Sequence, residues 1–319
     1  MRTRLSIIAA LVGALLLPVL GHGEPWPHSA DIAKRNLKPT DFPRSRQLAP
    51  GIFVYEGLHA ADRDGTVVNT VSLIVTTASG VVVVDGQGDE AQTRRMLEDI
   101  RKLTPRPTVR YVVIASDHID HVGGNAVFRE ANPQVEFIAS PVSAKRLQDK
   151  GHPAIQALDE EQRTLHVGGM EIQILNLGRA HTGGDLVAYL PHPKVLFLGE
   201  VYLRDVFPAM RSAHPTEWLG TIERAQAMDA AWYVPGHGFI DDAASMKRGL
   251  EESRKAITYV IDEAKRLRAA GLACGSPADC PAARQANWGP YDGWALRTSQ
   301  APLAIAKVYQ ELDGKLPSD

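Results

Sequence analysis

The chain has 319 residues, 44% hydrophobic and 23% charged, with a formal net charge of −2. That balance is ordinary for a globular protein. It excludes a polybasic surface built for nucleic acid or an anionic membrane, and no long Lys/Arg run alters this. The expected partner is a small molecule, with no nucleic acid and no membrane once the leader is gone; nothing in the pattern fixes an oligomeric state.

Arg2 and Arg4 precede an apolar stretch from Leu5 to Leu20, and Gly21 and Gly23 stand at the −3 and −1 positions of a cleavage site. Residues 1–23 therefore read as a secretory signal, which makes the mature protein periplasmic or secreted. The stretch contains Pro18 and is short for a membrane span, which needs about twenty residues. Residues 24–50 hold Pro25, Pro27, Pro39, Pro43 and Pro50 without periodicity and read as a lead-in.

From Ile52 short β-branched runs begin: Ile52–Tyr55, Val67–Thr76 and Gly80–Asp85, the last two forming a hairpin. Met96, Leu97, Ile100 and Leu103 mark a helix over Glu90–Leu103, and Val109–Ile114 is a buried strand. The pattern continues with strand Val135–Ala139, helix Pro141–Asp149, and strands near Thr164–Val167, Glu171–Leu175, Leu186–Leu190 and Val195–Leu198. Helix Thr216–Met228 and strand Trp232–Val234 follow, then helices over Ala243–Ala269 and Ala301–Leu312. Strands in two batches with helices interspersed fit two packed sheets with helices outside, an α/β (α+β) class. The main domain is expected over 51–249, with a helical extension over 250–319 packed on it. Cys274 and Cys280 flank a loop composition and are expected to close a small disulfide in an oxidising compartment.

The chemistry concentrates in Ser116-Asp117-His118-Ile119-Asp120-His121-Val122-Gly123-Gly124, directly after a predicted buried strand. Three potential ligands within four residues can converge on a tight loop. Imidazole and carboxylate are the donors zinc takes outside thiolate sites. Two further histidines sit between small residues near strands, His181 in Gly178-Arg179-Ala180-His181-Thr182-Gly183 and His237 in Pro235-Gly236-His237-Gly238. Glu200, after Leu198-Gly199, is read as a carboxylate at another strand end.

In this order the motifs resemble the metallo-β-lactamase superfamily, whose first motif is His-x-His-x-Asp-His. The resemblance covers roughly residues 51–245 and implies a four-layer αββα sandwich with metals at one edge. It implies His118 and His181 as ligands of a first metal, and Asp120, His121 and His237 of a second, with Glu200 where a bridging aspartate usually stands. Ser116 replaces the first histidine of the motif and is a weak ligand. Zinc is the expected cofactor, one ion tight and a second weak or substrate-assisted. Asp117, Asp85 and Asp185 are candidates for bracing the ligands.

The expected activity is hydrolysis of an ester, lactone, thioester or lactam by a zinc-bound hydroxide, with Asp120 as the catalytic residue orienting the water. Arg204, Arg211 and His214 are candidates for gripping an anionic substrate group. Two alternatives stand beside this reading: a non-catalytic zinc-binding periplasmic protein with a degenerate first site, and an iron-dependent oxidoreductase of the same fold. His22, His28, His59, His152, His166 and His192 are expected to have no chemical role.

Overall fold

A computed structural model describes residues 32, 35–60, 67–158 and 160–316. The expected signal segment lies outside the described residues, as does the start of the lead-in. The first strands are β1 (Arg44–Ala49), β2 (Ile52–Ala60), β3 (Val67–Thr77) and β4 (Gly80–Val84), each antiparallel to the next. The lead-in thus contributes a mostly exposed strand, β1, where no periodicity had marked one.

From β4 the chain alternates strand and helix: α1 (Glu90–Leu103), β5 (Val109–Val113), α2 (Ile119–Val122), α3 (Asn125–Ala131), β6 (Glu136–Ala139), α4 (Pro141–Asp149) and β7 (Ile155–Ala157). The strands β4 to β7 run parallel, as helical crossovers require. Local signals set the helix starts. Asp89 caps α1 by accepting from Gln92 N at 2.8 Å, and Ser140 caps α4 ahead of Pro141.

The second batch is β8 (Gln162–Val167), β9 (Met170–Leu175), β10 (Val187–Leu190), β11 (Val195–Leu203), α5 (Pro215–Ala227) and β12 (Trp232–His237). Its order is β12-β11-β10-β9-β8, and it joins the first sheet where His237 pairs with Thr70 of β3. The chain ends in α6 (Ala243–Ala269), α7 (Pro281–Arg284) and α8 (Arg297–Leu312).

Strand β4 shows why four layers form. All five of its residues are buried. Val82 and Val84 face the core between the sheets, while Val81 and Val83 pack with Met96, Ile100, Phe128 and Leu147 of the helices behind. A strand apolar on both faces needs a layer on each side. On the far side, Met246, Leu250, Ser253, Ile257, Val260, Ala264 and Leu267 of α6 recur every three or four residues, and its apolar members join the same continuous hydrophobic cluster from the outer face of the second sheet. Ala301, Ala304, Ile305 and Val308 bring α8 into it as well. Cys274 and Cys280 form a disulfide within this extension. Among the described residues no helix is long and apolar enough to cross a membrane.

Candidate metal centre

The site lies where β3, β5, β11 and β12 end or bend along one edge of the sandwich. Asp85, just after β4, accepts from Ala115 N at 2.6 Å and ties down the segment after β5. The chain then turns into α2, with His118 as its N-cap and Asp120 and His121 inside it. The loop holding His181 is closed by Asp185, whose two oxygens accept from Thr182 N and Thr182 Oγ1, both at 2.7 Å. Burial pushes the Asp185 carboxyl up to about 7 despite those bonds.

Glu200 and His237 lie within strands, not beyond strand ends as their sequence positions suggested. Strand β11 runs on to Leu203, and its register with β12 shifts on either side of Gly199. Gly199 has φ +52, and a Cβ there would stand 2.9 Å from Ala115 Cβ, so the bend that aims Glu200 requires glycine. Gly238, at φ +101, has the backbone oxygen of Arg204 at 2.4 Å from any added Cβ.

Two donor clusters result, His118–His181–Glu200 and Asp120–His121–Glu200–His237, sharing one carboxylate. Glu200 Oε2 lies 2.8 Å from His118 Nδ1 and 3.1 Å from His181 Nδ1. Its other oxygen lies 3.4 Å from His237 Nε2 and 3.9 Å from His121 Nε2. Each oxygen of Glu200 thus faces a different cluster, the placement expected of a bridging carboxylate. Ser116 belongs to neither cluster; its hydroxyl donates a short hydrogen bond to Glu200 Oε2.

The tautomers of the second cluster follow from their partners. His237 Nδ1 sits 2.9 Å from the carbonyl of Asn69 and must donate to it. His121 Nδ1 lies 3.0 Å from Asp85 Oδ2, and the carboxylate's charge favours the proton on that nitrogen. The two Nε2 atoms then face each other at 3.2 Å, with Asp120 Oδ2 at 3.2 and 3.8 Å from them. Three electron-pair donors converge with no N–H between them unless an extra proton enters. Separations of about 3.3 Å are those required by a tetrahedral ion with bonds of about 2.0–2.1 Å. The donor set, all imidazole and carboxylate, fits a divalent metal.

Without a metal, protons supply the positive charge. Burial lowers the His118 pKa, but Glu200 overrides it and raises the group to about 9. For His237 the same opposition, with Asp120 and Glu200 winning, gives about 10. Burial opposes ionisation of Glu200 and Asp120, yet the surrounding imidazoles hold both well below the usual carboxylate range.

A cleft of ≈ 240 Å³ opens over the clusters. Arg211 lines it; Arg204 and His214 do not. The Arg204 guanidinium turns away to Asp241 at 2.6 Å and to the carbonyl of Phe239, so the expectation that it meets substrate is corrected. Strand β11 continues to Leu203 and sets that direction. Buried His214 supports the His181 loop through its backbone, donating to Ala180 O at 2.9 Å. Asp117, also buried, lies 3.8 Å from Arg146. His59, which had been given no role, reaches the cleft. Its Nε2 lies 3.6 Å from Asp120 Oδ2, its Nδ1 lies 3.1 Å from Thr70 Oγ1, and burial lowers its pKa to about 4.

The fold and site define a four-layer α/β protein whose two donor clusters share one carboxylate at a sheet edge. The metallo-beta-lactamase superfamily model matches residues 65–237, and the chain belongs to that superfamily. It is 25% identical over 52% of its length to the alpha subunit of 2,4-dinitroanisole O-demethylase from Nocardioides sp. (strain JS1661), and this match spans 52% of the subunit. With the type 2 metallo-beta-lactamase of Bacillus cereus it shares 24% identity over 59% of its length and 74% of the relative's. The solved metallo-beta-lactamase from Pontibacter korlensis superposes with a TM-score of 0.60 at 24% identity, covering 67% of this chain and 98% of that one.

Proposed function

We propose that this protein is an exported, metal-dependent hydrolase that cleaves an ester, lactone, thioester or lactam in a small molecule, with zinc as its metal. The observation that carries the reading is the pair of donor clusters sharing Glu200 beneath an open cleft. His118, His181 and one oxygen of Glu200 would hold one ion; Asp120, His121, His237 and the other oxygen would hold a second. A bound divalent ion supplies Lewis acidity, polarising a carbonyl and lowering the pKa of a water ligand towards about 7.

The chain's own groups supply position and proton handling. Asp120, its side chain 21% exposed to the cleft, stays ionised and accepts a hydrogen bond from the attacking water, which fixes the water's orientation. His59 is neutral at pH 7 and presents Nε2 to the cleft beside Asp120, where it can hydrogen-bond a bound molecule. Asn69 fixes the ring tautomer of His237 by accepting from its outer nitrogen, and the Asp85 carboxylate beside His121 Nδ1 favours the proton there. Export is supported by the basic and apolar segment of residues 1–23 and by the Cys274–Cys280 disulfide, a bond that persists in oxidising compartments. The smaller relatives in the family are lactamases by name, but a substrate does not follow from that likeness.

The test is elemental analysis of purified protein combined with a chromogenic ester, lactone, thioester and lactam panel. Hydrolysis of at least one class, lost on chelation and restored by zinc, is the expected result. Full hydrolysis by protein shown to be free of metal would refute the reading.

A further inference from the structure

The two-sheet domain does not enclose the cleft by itself. Leu296 and Gln300 line it from the C-terminal extension, beyond the residues matched by the family model. The extension is stitched to the loop after β11. Val206 bridges to Ala295, Phe207 N donates to Ala295 O at 2.8 Å, and Ala295 N donates to Asp205 O at 3.2 Å. Trp288 packs edge-on against Phe207 at 5.0 Å between ring centres. This same loop carries Val206 and Arg211 into the cleft.

Leu296 has φ +62, in the left-handed region. Glycine takes that conformation freely and asparagine tolerates it, whereas leucine rarely adopts it. An unfavourable backbone kept at a cleft wall points to a use for the side chain. Ile119, 68% exposed, also lines the cleft and stands in sequence between two of the metal-type donors, His118 and Asp120. Arg211 is the cleft's one arginine or lysine among the described residues.

We propose that the C-terminal extension is the substrate-selecting element of this centre, and that the cleft takes a small monoanion with an apolar body. The body lies against the apolar lining of Leu296, Val206 and Ile119, and the anionic group meets Arg211. This rests on the hydrolase reading for what is then done to the molecule, but its recognition is carried by side chains that bind no metal.

Saturation-transfer NMR on the full chain, with and without added zinc, tests it using 4-phenylbutanoate, butanoate and 4-phenylbutanamide. The phenyl group and the carboxylate should each improve binding by about tenfold. Leu296→Gly suits the local backbone and should reduce the phenyl advantage to less than about threefold, and Leu296→Asn should do the same if the glycine variant folds poorly. Arg211→Gln should cut the carboxylate advantage to a similar extent. A wild-type protein without either preference, or variants that keep both, would overturn the proposal. Zinc content of the same samples separates the two readings. Preferences kept by a chain that retains no zinc leave this proposal standing without the metal; zinc retained without preferences does the reverse.

Discussion

Asp85→Asn is the sharpest test of the second cluster because it changes a proton pattern while leaving the shape almost intact. Asp85 is fully buried; one oxygen accepts from Ala115 N at 2.6 Å and the other lies 3.0 Å from His121 Nδ1. Asparagine has one acceptor for those two donors. If its oxygen stays on Ala115, its NH₂ faces His121, and the imidazole must move its proton to Nε2. That nitrogen then points an N–H at His237 Nε2, 3.2 Å away, and the two rings close on each other where an ion would sit. If the amide flips, its NH₂ meets the Ala115 N–H, a buried clash of donors costing about 1–3 kcal/mol. The first route predicts metal affinity weakened by about 10–100-fold, the range seen when a partner behind a histidine ligand is lost; the second keeps the tautomer and shows instead as lost stability. Competition against a chromogenic chelator measures the affinity, and thermal melts followed by circular dichroism measure the stability. Affinity within about threefold of wild type in a variant of unchanged stability would refute the tautomer assignment, since 1.4 kcal/mol already corresponds to about tenfold.

Asn69→Ala removes two 2.8 Å hydrogen bonds to the N–H and C=O of buried Gly238, and urea denaturation should show a loss of about 2–4 kcal/mol. The metal-free protein should lose stability as pH climbs from about 6.5 through about 9 and 10. His118 and His237 have raised pKa values in the folded chain and so bind protons that the unfolded chain releases first. Thermal melts of chelated protein across that window check the sign, and a rise in stability with pH would contradict it. A double-mutant cycle of Ser116→Ala and Glu200→Gln, read as zinc affinity, should give a coupling energy of about 1.5–3 kcal/mol, that of a hydrogen bond to a charged group. Strictly additive effects would show that the hydroxyl does not support the carboxylate.

What could be read from the sequence was what is decided locally. Helices α1, α4 and α6 have the ends expected of them because Asp89, Ser140 and Asp242 cap them from the adjacent residue. The donors His118, Asp120 and His121 share one turn, so their convergence was visible in four letters. Strands β1 and β7 escaped notice: one is mostly exposed and the other only three residues long, and both owe their conformation to distant partners. His59 escaped for a related reason. It reaches Asp120 only because β2 and β3 pair Gly57 with Thr70 and His59 with Val68, a register no short motif encodes. Leu296 and Gln300 were hidden by distance along the chain, since the ladder at Ala295 is what brings them to the cleft.

The resemblance of the motifs makes Ser116 and Glu200 departures from the pattern expected of the family, and taken singly each weakens the case for a full site. A serine hydroxyl is a poor ligand where an imidazole is usual, leaving His118 and His181 without a third partner. Glutamate carries one more methylene than aspartate and has more rotamer freedom to lose when it bridges. Across 84 residues of chain the two side chains meet in one hydrogen bond, and that contact changes both conclusions. The hydroxyl restrains the longer carboxylate, which presents Oε2 to His118 and His181 while Oε1 remains with His121 and His237. The first cluster is thereby left with two imidazoles and one carboxylate oxygen. It has one nitrogen fewer than the family's usual motif would give it, and a carboxylate oxygen is a harder donor than imidazole. The metal preference and the acidity of any bound water should therefore differ from those of a first site with three histidines.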